Sequence, residues 1–313
     1  MAMNLLMLCR EPRLYSCQRL CEAAAARGHQ MDILDPNRFL LRLSEAGTFS
    51  LYYQAKETQA AYSLQDYDGV LPRFGVTSNQ QGCAVLEHLL ARGAVSLNSP
   101  QAFALARDKW QSLQYLAAAG LPLPDSYLSG REVSAEALLA QLSPPLIIKT
   151  LAGMQGVGVM LAESVKSAHG LLDFLYQNGT PALQQEFIAE AESADIRAFV
   201  VRERVVAAMR RIGKKGDFRA NFHRGGRAES VQLSVDEQQL AVAAAKALGL
   251  EVAGVDLIPS ARGLLVLEVN AAPGLEMIEQ TSGIDIASEM IALLEKKVKQ
   301  RANKPFLIFC AHH

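Results

Sequence analysis

The chain has 313 residues, 50% of them hydrophobic, and a formal net charge of -1 at pH 7. Its length and composition predict about two globular domains, and the near-zero charge excludes a whole-molecule argument for a nucleic-acid or membrane partner. The 5 cysteines include no C-x-x-C pair and follow no secretory leader, so we expect reduced thiols, no structural zinc site and a cytoplasmic location. No apolar run reaches the roughly 18 residues that a membrane-spanning helix needs.

The N-terminal part of the chain alternates between predicted strands and helices. In chain order these are a strand at Asn4–Cys9, a helix at Ser16–Arg27, strands at Gln30–Leu34 and Gly69–Pro72, and a helix at Gln80–Arg92. Such alternation is typical of a small parallel sheet covered by helices. We therefore predict an α/β domain over residues 1–98.

The sequence after this domain changes its pattern. A helix is predicted from Ser99 to Gly120, because Ser99 can cap it and Pro100 suits its first turn. Short strands and glycine turns follow, which is an α+β pattern. The predicted strands are Leu146–Thr150, Gly158–Ala162, Ala182–Ile188, Ile196–Val201 and Val205–Ile212, and the predicted helices are Val235–Leu248 and Ile286–Lys299.

A β-hairpin is predicted around the turn that ends at Gly263. A three-residue loop with Gly263 in the left-handed conformation would pair Ser260 with Leu264. In that register Asp256 lies opposite Glu268. The hairpin therefore brings two carboxylates together inside an otherwise apolar element.

The face that carries these carboxylates is a candidate metal site. Because side chains alternate across a strand, Asn270 joins Asp256 and Glu268 on one face. The opposite, core face is predicted to hold Val255, Leu257, Leu265, Leu267 and Val269. Two carboxylates and an amide oxygen suit a hard cation such as magnesium, whereas the alternative is a solvated hairpin face.

A glycine-rich segment, Gly153–Gly158, lies between two strand-like runs. A dinucleotide-binding loop joins a strand to a helix, so this context favours the tip of a hairpin. Such a tip offers backbone N–H groups to phosphate oxygens and can act as a lid, although a plain glycine turn is the alternative. Lys149 favours phosphate binding, since a lysine in an apolar strand is costly to bury without an anion. Lys109, taken alone, is typical of a solvated lysine.

Residues 197–227 carry 10 lysines or arginines against 2 acidic residues. This basic segment could bind a triphosphate, attract a polycarboxylate substrate or neutralise nucleic-acid phosphates. The neighbouring metal face fits the first two functions, and the segment has few aromatic residues for stacking on bases. A solvated basic face explains Arg202 well, but it explains Arg211, Arg219 and Asn221 less well.

A set of motifs is similar to one known family over nearly the whole chain. The motifs are Arg13–Ser16, Leu71–Gly75, Ala106–Lys109, Ile148–Val159, Gln185–Ile188, Ala194–Arg197, Gly216–Gly226 and Leu267–Glu276. By these motifs the chain resembles the RimK family of ATP-grasp carboxylate-amine ligases, the ribosomal protein glutamate ligases. The resemblance implies a small N-terminal parallel-sheet domain followed by a two-lobed ATP-grasp fold. Its lobes would span residues 99–184, with the glycine lid, and 185–300, with the metal site, followed by a tail over 301–313.

The resemblance also implies the site and its ligands. ATP and Mg²⁺ or Mn²⁺, as two ions, would be the cofactors. The residues implied for the nucleotide are Lys109, Lys149, Glu186, Phe187, Ile188, Asp195, Arg219, Ala220 and Asn221. The metal ligands would be Asp256, Glu268 and Asn270. In the hypothesised reaction the catalytic residues are Arg219, which would stabilise the transferring group, and Arg211, our candidate for contacting the acyl-phosphate oxygen or the tetrahedral oxyanion.

The expected reaction joins an amino acid, with glutamate favoured, to a carboxylate acceptor such as the C-terminus of a ribosomal small-subunit protein. We expect a homo-oligomer, a dimer or tetramer, with no direct nucleic-acid or membrane partner. The segment after Leu71–Gly75 and the apolar tail depart from the family pattern, which leaves the acceptor open. The alternatives are a paralogue with another amino acid or acceptor, a catalytically silent ATP-binding regulatory module, and an RNA-binding protein that uses the basic segment.

Overall fold

The computed structural model describes residues 2–130, 132–151, 158–214 and 226–302. Its first elements are β1 (Asn4–Leu8), α1 (Tyr15–Ala26), β2 (Gln30–Leu34), β3 (Phe39–Leu43), β4 (Phe49–Tyr53), β5 (Tyr62–Ser63), β6 (Gly69–Pro72), α2 (Asn79–Ala91) and β7 (Val95–Ser96). A parallel sheet in the order β2-β1-β6-β7 confirms the predicted α/β domain. An antiparallel sheet, β3-β4-β5, accompanies it and is not predicted from the sequence, because its strands are short and do not alternate cleanly.

The elements that follow belong to an antiparallel α+β region, as predicted. They are α3 (Pro100–Arg107), α4 (Lys109–Ala118), β8 (Ser126–Leu128), α5 (Ala135–Leu139), β9 (Leu146–Thr150), β10 (Val159–Ala162), α6 (Val165–Gln177) and β11 (Ala182–Glu186). The chain continues through β12 (Ala194–Val201), β13 (Arg204–Ile212), β14 (Arg227–Ser230), α7 (Val235–Ala247), β15 (Val252–Ser260), β16 (Gly263–Asn270), α8 (Glu276–Ser282) and α9 (Ile286–Ala302).

The single helix predicted from Ser99 to Gly120 is wrong, because the chain breaks it at Asp108. Asp108 has an extended backbone, and its carboxylate accepts hydrogen bonds from the backbone N–H groups of Trp110 at 3.0 Å and Gln111 at 2.9 Å. This is an N-cap, which satisfies donors that the first turn of a helix leaves open. The break makes Lys109 the first residue of α4.

One antiparallel sheet, β10-β9-β11-β8, is covered by helices on one face. Leu146 and Ile148 of β9 enter a core with residues of α5 and α6, including Leu138 and Leu172. Because side chains alternate, Lys149 points to the opposite face. Strands β9 and β10 pair antiparallel, with Lys149 opposite Val159, so the glycine-rich segment joins two strands, as predicted, while residues 152–157 lie outside the described part.

A second antiparallel sheet has the order β14-β13-β12-β15-β16. Its central strands are buried on the α7 side, where Ala198, Val200, Val255 and Ala241 are inaccessible to solvent. Helix α7 begins with a capping box, in which Ser234 and Glu237 each accept a backbone N–H of the other. The candidate metal residues lie on the last two strands of this sheet.

The chain divides into two compact units, Met1–Pro100 with Asp285–His313, and Gln101–Ile284. Helix α9 belongs to the first unit, where Lys297 Nζ donates to the backbone oxygen of Ser96 at 2.7 Å and Arg27 pairs with Glu295. The sequence places α9 in the lobe 185–300, so these compact units differ from the predicted lobes at this helix. Within the described residues, no helix combines the length and the apolar character needed to cross a membrane.

Candidate active site

The hairpin of β15 and β16 places the candidate metal residues on one face. Asp256 pairs directly with Glu268, and Gly254 pairs with Asn270. Asn270 Nδ2 donates to Glu268 Oε1 at 3.1 Å, which leaves the amide oxygen of Asn270 as a possible ligand. Gly254 is needed here, since a Cβ at this position would lie 2.7 Å from Cβ of Pro273.

The turn of this hairpin differs from the prediction. Ser260 pairs with Gly263 rather than with Leu264, and a β-bulge between Asp256 and Leu257 restores the pairing of Asp256 with Glu268. Gly263 does have positive φ, at 92°. The predicted carboxylate pair is therefore confirmed, although the predicted turn is one residue too long.

The bulge also changes which residues share a face. Leu265 pairs with Ile258, which lies two residues from Asp256 in β15, so Leu265 is on the carboxylate face rather than on the predicted core face. Val266, opposite Leu257, takes its place in the core. Leu265 packs in a small apolar cluster with Ile188, Ala191 and Ile258.

Asp256 is the centre of a buried ion-pair network. Arg197 lies opposite Asp256 on the neighbouring strand β12, and its Nε and Nη2 donate to the two oxygens of Asp256 at 2.7 and 2.6 Å. Arg211 Nη2 reaches Asp256 Oδ2 at 3.0 Å. Burial by itself would raise the pKa of Asp256, but the charges of Arg197 and Arg211 outweigh it and lower this pKa to about 2. The carboxylate is therefore ionised at neutral pH.

Arg211 connects this network to Asp195. Its Nε and Nη2 donate to the two oxygens of Asp195, both at 2.6 Å, and both side chains are buried. Burial raises the pKa of Asp195 to about 6, although the charge of Arg211 opposes this. A guanidinium has five N–H donors, so Nη1 of Arg211 remains for a further acceptor while the ion pairs persist.

Lys149 and Lys109 supply positive charge from the other sheet and from α4. Lys149 Nζ donates to Gln185 Oε1 at 2.7 Å, and Lys109 Nζ donates to the backbone oxygen of Leu151 at 2.8 Å. Burial lowers the pKa of Lys149 to about 8 and also lowers the pKa of Lys109, and in both cases the charge of Glu268 opposes the shift. The negative charge of Glu268 therefore favours the protonated form of both lysines.

The hinge residues predicted for adenine begin at Glu186, the last residue of β11. Glu186 accepts a hydrogen bond from the backbone N–H of Asp125 at 2.8 Å and pairs with Arg262 at the hairpin tip. Ile188 is buried, whereas Phe187 is partly exposed. The side chain of Glu186 and its backbone N–H, which donates to Asp125 O at 2.9 Å, are thus committed to the protein, and the other backbone groups of this segment are what it can offer to a ligand.

Two residues of this site were missed by sequence reasoning. Arg197 was quoted in a motif without a role, although it lies two residues from Asp195 in β12 and therefore shares its face. Gln185, which is 2% exposed, holds Lys149 and also donates to Ser126 Oγ at 2.8 Å. Its position inside a buried strand was the available signal. The predicted residues Arg219, Ala220 and Asn221 lie outside the described residues.

The donor set fits a hard divalent cation. No group of three His, Cys, Asp or Glu side chains suited to a metal occurs in the part of the chain that the structure describes, and the predicted set of Asp256, Glu268 and Asn270 combines two carboxylates with an amide. All three offer oxygen atoms, and each carboxylate oxygen can accept more than one partner. The surrounding cations suit phosphates bound to such an ion.

Two family models match the chain. The RimK PreATP-grasp domain matches residues 3–103 and the RimK-like ATP-grasp domain matches residues 106–294. The chain belongs to the RimK family. RimK-family ATP-grasp proteins are ligases that form carbon–nitrogen bonds, so this chain is an ATP-dependent ligase.

Curated relatives and solved structures agree with this assignment. The chain is 59% identical over 294 residues to a "Probable alpha-L-glutamate ligase" of Haemophilus influenzae, covering 94% of this chain and 97% of the relative. A protein of the same name from Pasteurella multocida is 59% identical over 302 residues, with 96% of each chain covered.

Two solved structures share the fold. The ATP-grasp ligase PsnB, complexed with a phosphomimetic variant of a minimal precursor, Mg and ADP, has a TM-score of 0.70 at 23% identity, covering 95% of this chain and 99% of that one. A RimK domain protein ATP-grasp from Sphaerobacter thermophilus has a TM-score of 0.67 at 21% identity, covering 93% and 99%. These structures confirm the expected ATP-grasp fold.

Proposed function

We propose that this RimK-family ligase joins glutamate to a carboxylate acceptor, either the C-terminus of a ribosomal small-subunit protein or a glutamate peptide. The observation that carries the proposal is the pairing of Asp256 with Glu268, two carboxylates whose charges both act to raise the pKa of the half-buried Lys149. The names of the relatives from Haemophilus influenzae and Pasteurella multocida support glutamate as the amino acid.

The first step would activate the acceptor. A carboxylate oxygen attacks the γ-phosphorus of ATP, the bond from that phosphorus to the ADP oxygen breaks, and an acyl phosphate forms. Magnesium or manganese, as two ions on Asp256, Glu268 and Asn270, would neutralise charge between the phosphates. Lys149 and Lys109 would bind the phosphate oxygens from the other side.

The second step would form the amide. The amino nitrogen of glutamate attacks the acyl carbon, the bond from that carbon to the phosphate oxygen breaks, and the nitrogen loses a proton. Arg211 would donate Nη1 to the developing oxyanion while Asp195 and Asp256 hold its other nitrogens in place. Because the ion pairs fix the guanidinium before the reaction, little reorganisation is needed in the transition state.

Nucleotide binding would use the remaining predicted residues. The backbone of Glu186, Phe187 and Ile188 would face adenine, beside the apolar cluster that contains Leu265. Asp195 would accept a hydrogen bond from the ribose, because each of its carboxylate oxygens keeps a free lone pair when it pairs with Arg211. Arg219, Ala220 and Asn221 would complete the site.

The test is amino-acid-dependent release of ADP. The purified chain is incubated with ATP and magnesium, each of the common amino acids, and either glutamate peptides or ribosomal small-subunit proteins. Glutamate is expected to give the fastest release, with products that gain mass in glutamate steps. Release with a different amino acid would replace glutamate, and ADP release that no amino acid stimulates would contradict the ligase reaction.

A further inference from the structure

Two cysteines of the first unit lie in direct contact at the carboxyl end of β1. Cys9 follows β1, Cys17 lies in the first turn of α1, and their sulfur atoms are 3.3 Å apart. Both thiols are buried, with 3% and 1% exposure. A disulfide bond has an S–S separation of about 2.05 Å, so the two sulfurs, now in contact, need to approach by only about 1.2 Å to bond.

The surroundings of this pair favour a thiolate on Cys9. Its sulfur forms a hydrogen bond with the Cys17 thiol, in which either group can be the donor, and accepts the backbone N–H of Glu11 at 3.3 Å. The backbone N–H of Arg73 donates to Leu8 O at 2.9 Å, which holds Arg73 beside the end of β1. The hydrogen bond from Cys17 is the largest influence on the pKa of Cys9, which falls to about 7 with a further contribution from the charge of Arg73.

Cys21 provides a contrast within the same helix. It lies one turn after Cys17, and its thiol contacts the sulfur of Met31 at 3.8 Å rather than another cysteine. Burial raises the pKa of Cys21, so it holds its proton at neutral pH. Thiolate character and a neighbouring thiol are therefore combined at Cys9 and Cys17 and not at Cys21.

We propose that Cys9 and Cys17 are a redox-active thiol pair that a small hydroperoxide oxidises to an intramolecular disulfide. The Cys9 thiolate attacks the outer oxygen of the hydroperoxide, the O–O bond breaks, and the sulfur becomes a sulfenic acid while an alcohol or water leaves. Cys17 then attacks that sulfur, its proton leaves with the hydroxyl group as water, and the S–S bond forms. The two thiols lose two electrons and the hydroperoxide gains them.

The consequence is local to the N-terminal domain. The disulfide removes the thiolate charge that faces Arg73 and ties the end of β1 to the first turn of α1. The cysteine pair lies at the carboxyl end of β1. The sheet order reverses between β1 and β6, because the chain runs from β1 to β2 on one side and continues at β6 on the other side of β1. Ligands of open α/β sheets bind at the carboxyl ends of such strands. Oxidation therefore alters the edge of the sheet that is best suited to a ligand.

The experiment treats the reduced full chain with hydrogen peroxide, with a chelator present, and maps the peptides by mass spectrometry. We expect a peptide that links Cys9 to Cys17, the loss of two titratable thiols out of 5 per chain, and full reversal by dithiothreitol. The wild-type result needs no variant, so it does not depend on the folding of one. Oxidation of Cys21 or Cys83 before the pair, or no linked peptide at all, would overturn the proposal.

Variants then separate the roles of the two thiols. Cys17→Ser is expected to stop at a sulfenic acid on Cys9 that dimedone traps, and Cys9→Ser is expected to leave Cys17 reduced. Cys21→Ser is the matched control from the same helix and should form the link as the wild type does. If the disulfide between Cys9 and Cys17 formed neither in the wild type nor in Cys21→Ser, the proximity of the two thiols would not be sufficient for oxidation.

Discussion

At the scale of single residues, we propose that Lys149 lowers the stability of the folded state and serves to bind an anion. Lys149 is half-buried and donates to Gln185, and among the described residues no carboxylate forms an ion pair with its ammonium group. A half-buried cation of this kind is destabilising until an anion arrives. We therefore predict that replacing Lys149 strengthens the folded state and weakens nucleotide binding.

Replacing Lys149 with methionine should raise the free energy of unfolding at pH 7 by about 1 kcal/mol, because the substitution removes a half-buried charge and keeps most of the apolar stem. The pKa of Lys149 falls from 10.5 to about 8 on folding. The penalty is therefore fully present below pH 8 and fades as the pH rises towards 10.5. The difference between variant and wild type should narrow over that range.

Denaturant unfolding at several pH values measures this difference, and titration calorimetry with ADP measures the loss of affinity, which we expect to be at least about tenfold. Lys166→Met is the matched control, since Lys166 is exposed on α6 and should change neither quantity. A Lys149→Met variant that binds ADP like the wild type would remove Lys149 from the nucleotide site.

At the scale of elements, the sequence predicted the hairpin of β15 and β16 but not the length of its turn or its β-bulge. The predicted three-residue turn sets a register that places Asp256 opposite Glu268, and the structure has the same pair. The sequence pattern could not reveal the bulge. The turn is one residue shorter than predicted and the bulge adds one residue to β16, so the two changes cancel and the carboxylate pair stays the same. For that reason Leu265 was assigned to the wrong face. Pairing between strands distant in the chain was likewise beyond local patterns, and the role of Arg197 depends on such pairing.

The break between α3 and α4 leads to a prediction about capping. Helical periodicity runs through Asp108, so the sequence pattern alone favours one long helix, whereas the carboxylate of Asp108 stabilises a new helix start. Asp108→Ala should lower the free energy of unfolding by about 1 kcal/mol, because two backbone donors of α4 lose their acceptor. The first turn of α4 carries Lys109, so affinity for ADP should fall as well.

Denaturant unfolding and ADP titration measure both effects. Asp108→Asn should retain most of the stability, since asparagine is also a good cap. Ser164→Ala, which removes the cap of α6, is the control for a loss of stability without a loss of affinity. If Asp108→Ala and Ser164→Ala bound ADP with equal affinity, the start of α4 would have no role in nucleotide binding.

At the scale of the whole molecule, the residues predicted to bind the nucleotide and the metal all lie in one compact unit, so far as the structure describes them. Lys109, Lys149, Asp195, Asp256 and Glu268 fall within Gln101–Ile284. The redox-active pair, Cys9 and Cys17, falls in the other unit. The sequence predicted the two kinds of sheet because their periodicities differ, but it could not assign α9 to the first unit, since an amphipathic helix fits either partner.

This division predicts where the nucleotide protects the backbone. With ADP and magnesium present, amide hydrogen exchange should slow in β9, β11, β15 and β16, whereas β1, β2 and β6 should exchange as before, because ligand binding stabilises the segments that hold the ligand. At a ligand concentration of 100 times the dissociation constant, the stabilisation available is about 2.7 kcal/mol. Exchange measured by mass spectrometry resolves these segments.

The variant Glu268→Gln tests the metal's share of this protection. Glutamine keeps an oxygen that can accept from Asn270 Nδ2 but loses the charge, so the fold should persist while the protection that depends on magnesium disappears. Glu229→Gln, an exposed position in β14, is the matched control for the loss of one negative charge. If Glu268→Gln kept the full magnesium-dependent protection of β15 and β16, the ion would have to bind elsewhere, and the carboxylate pair would be a structural feature of the hairpin.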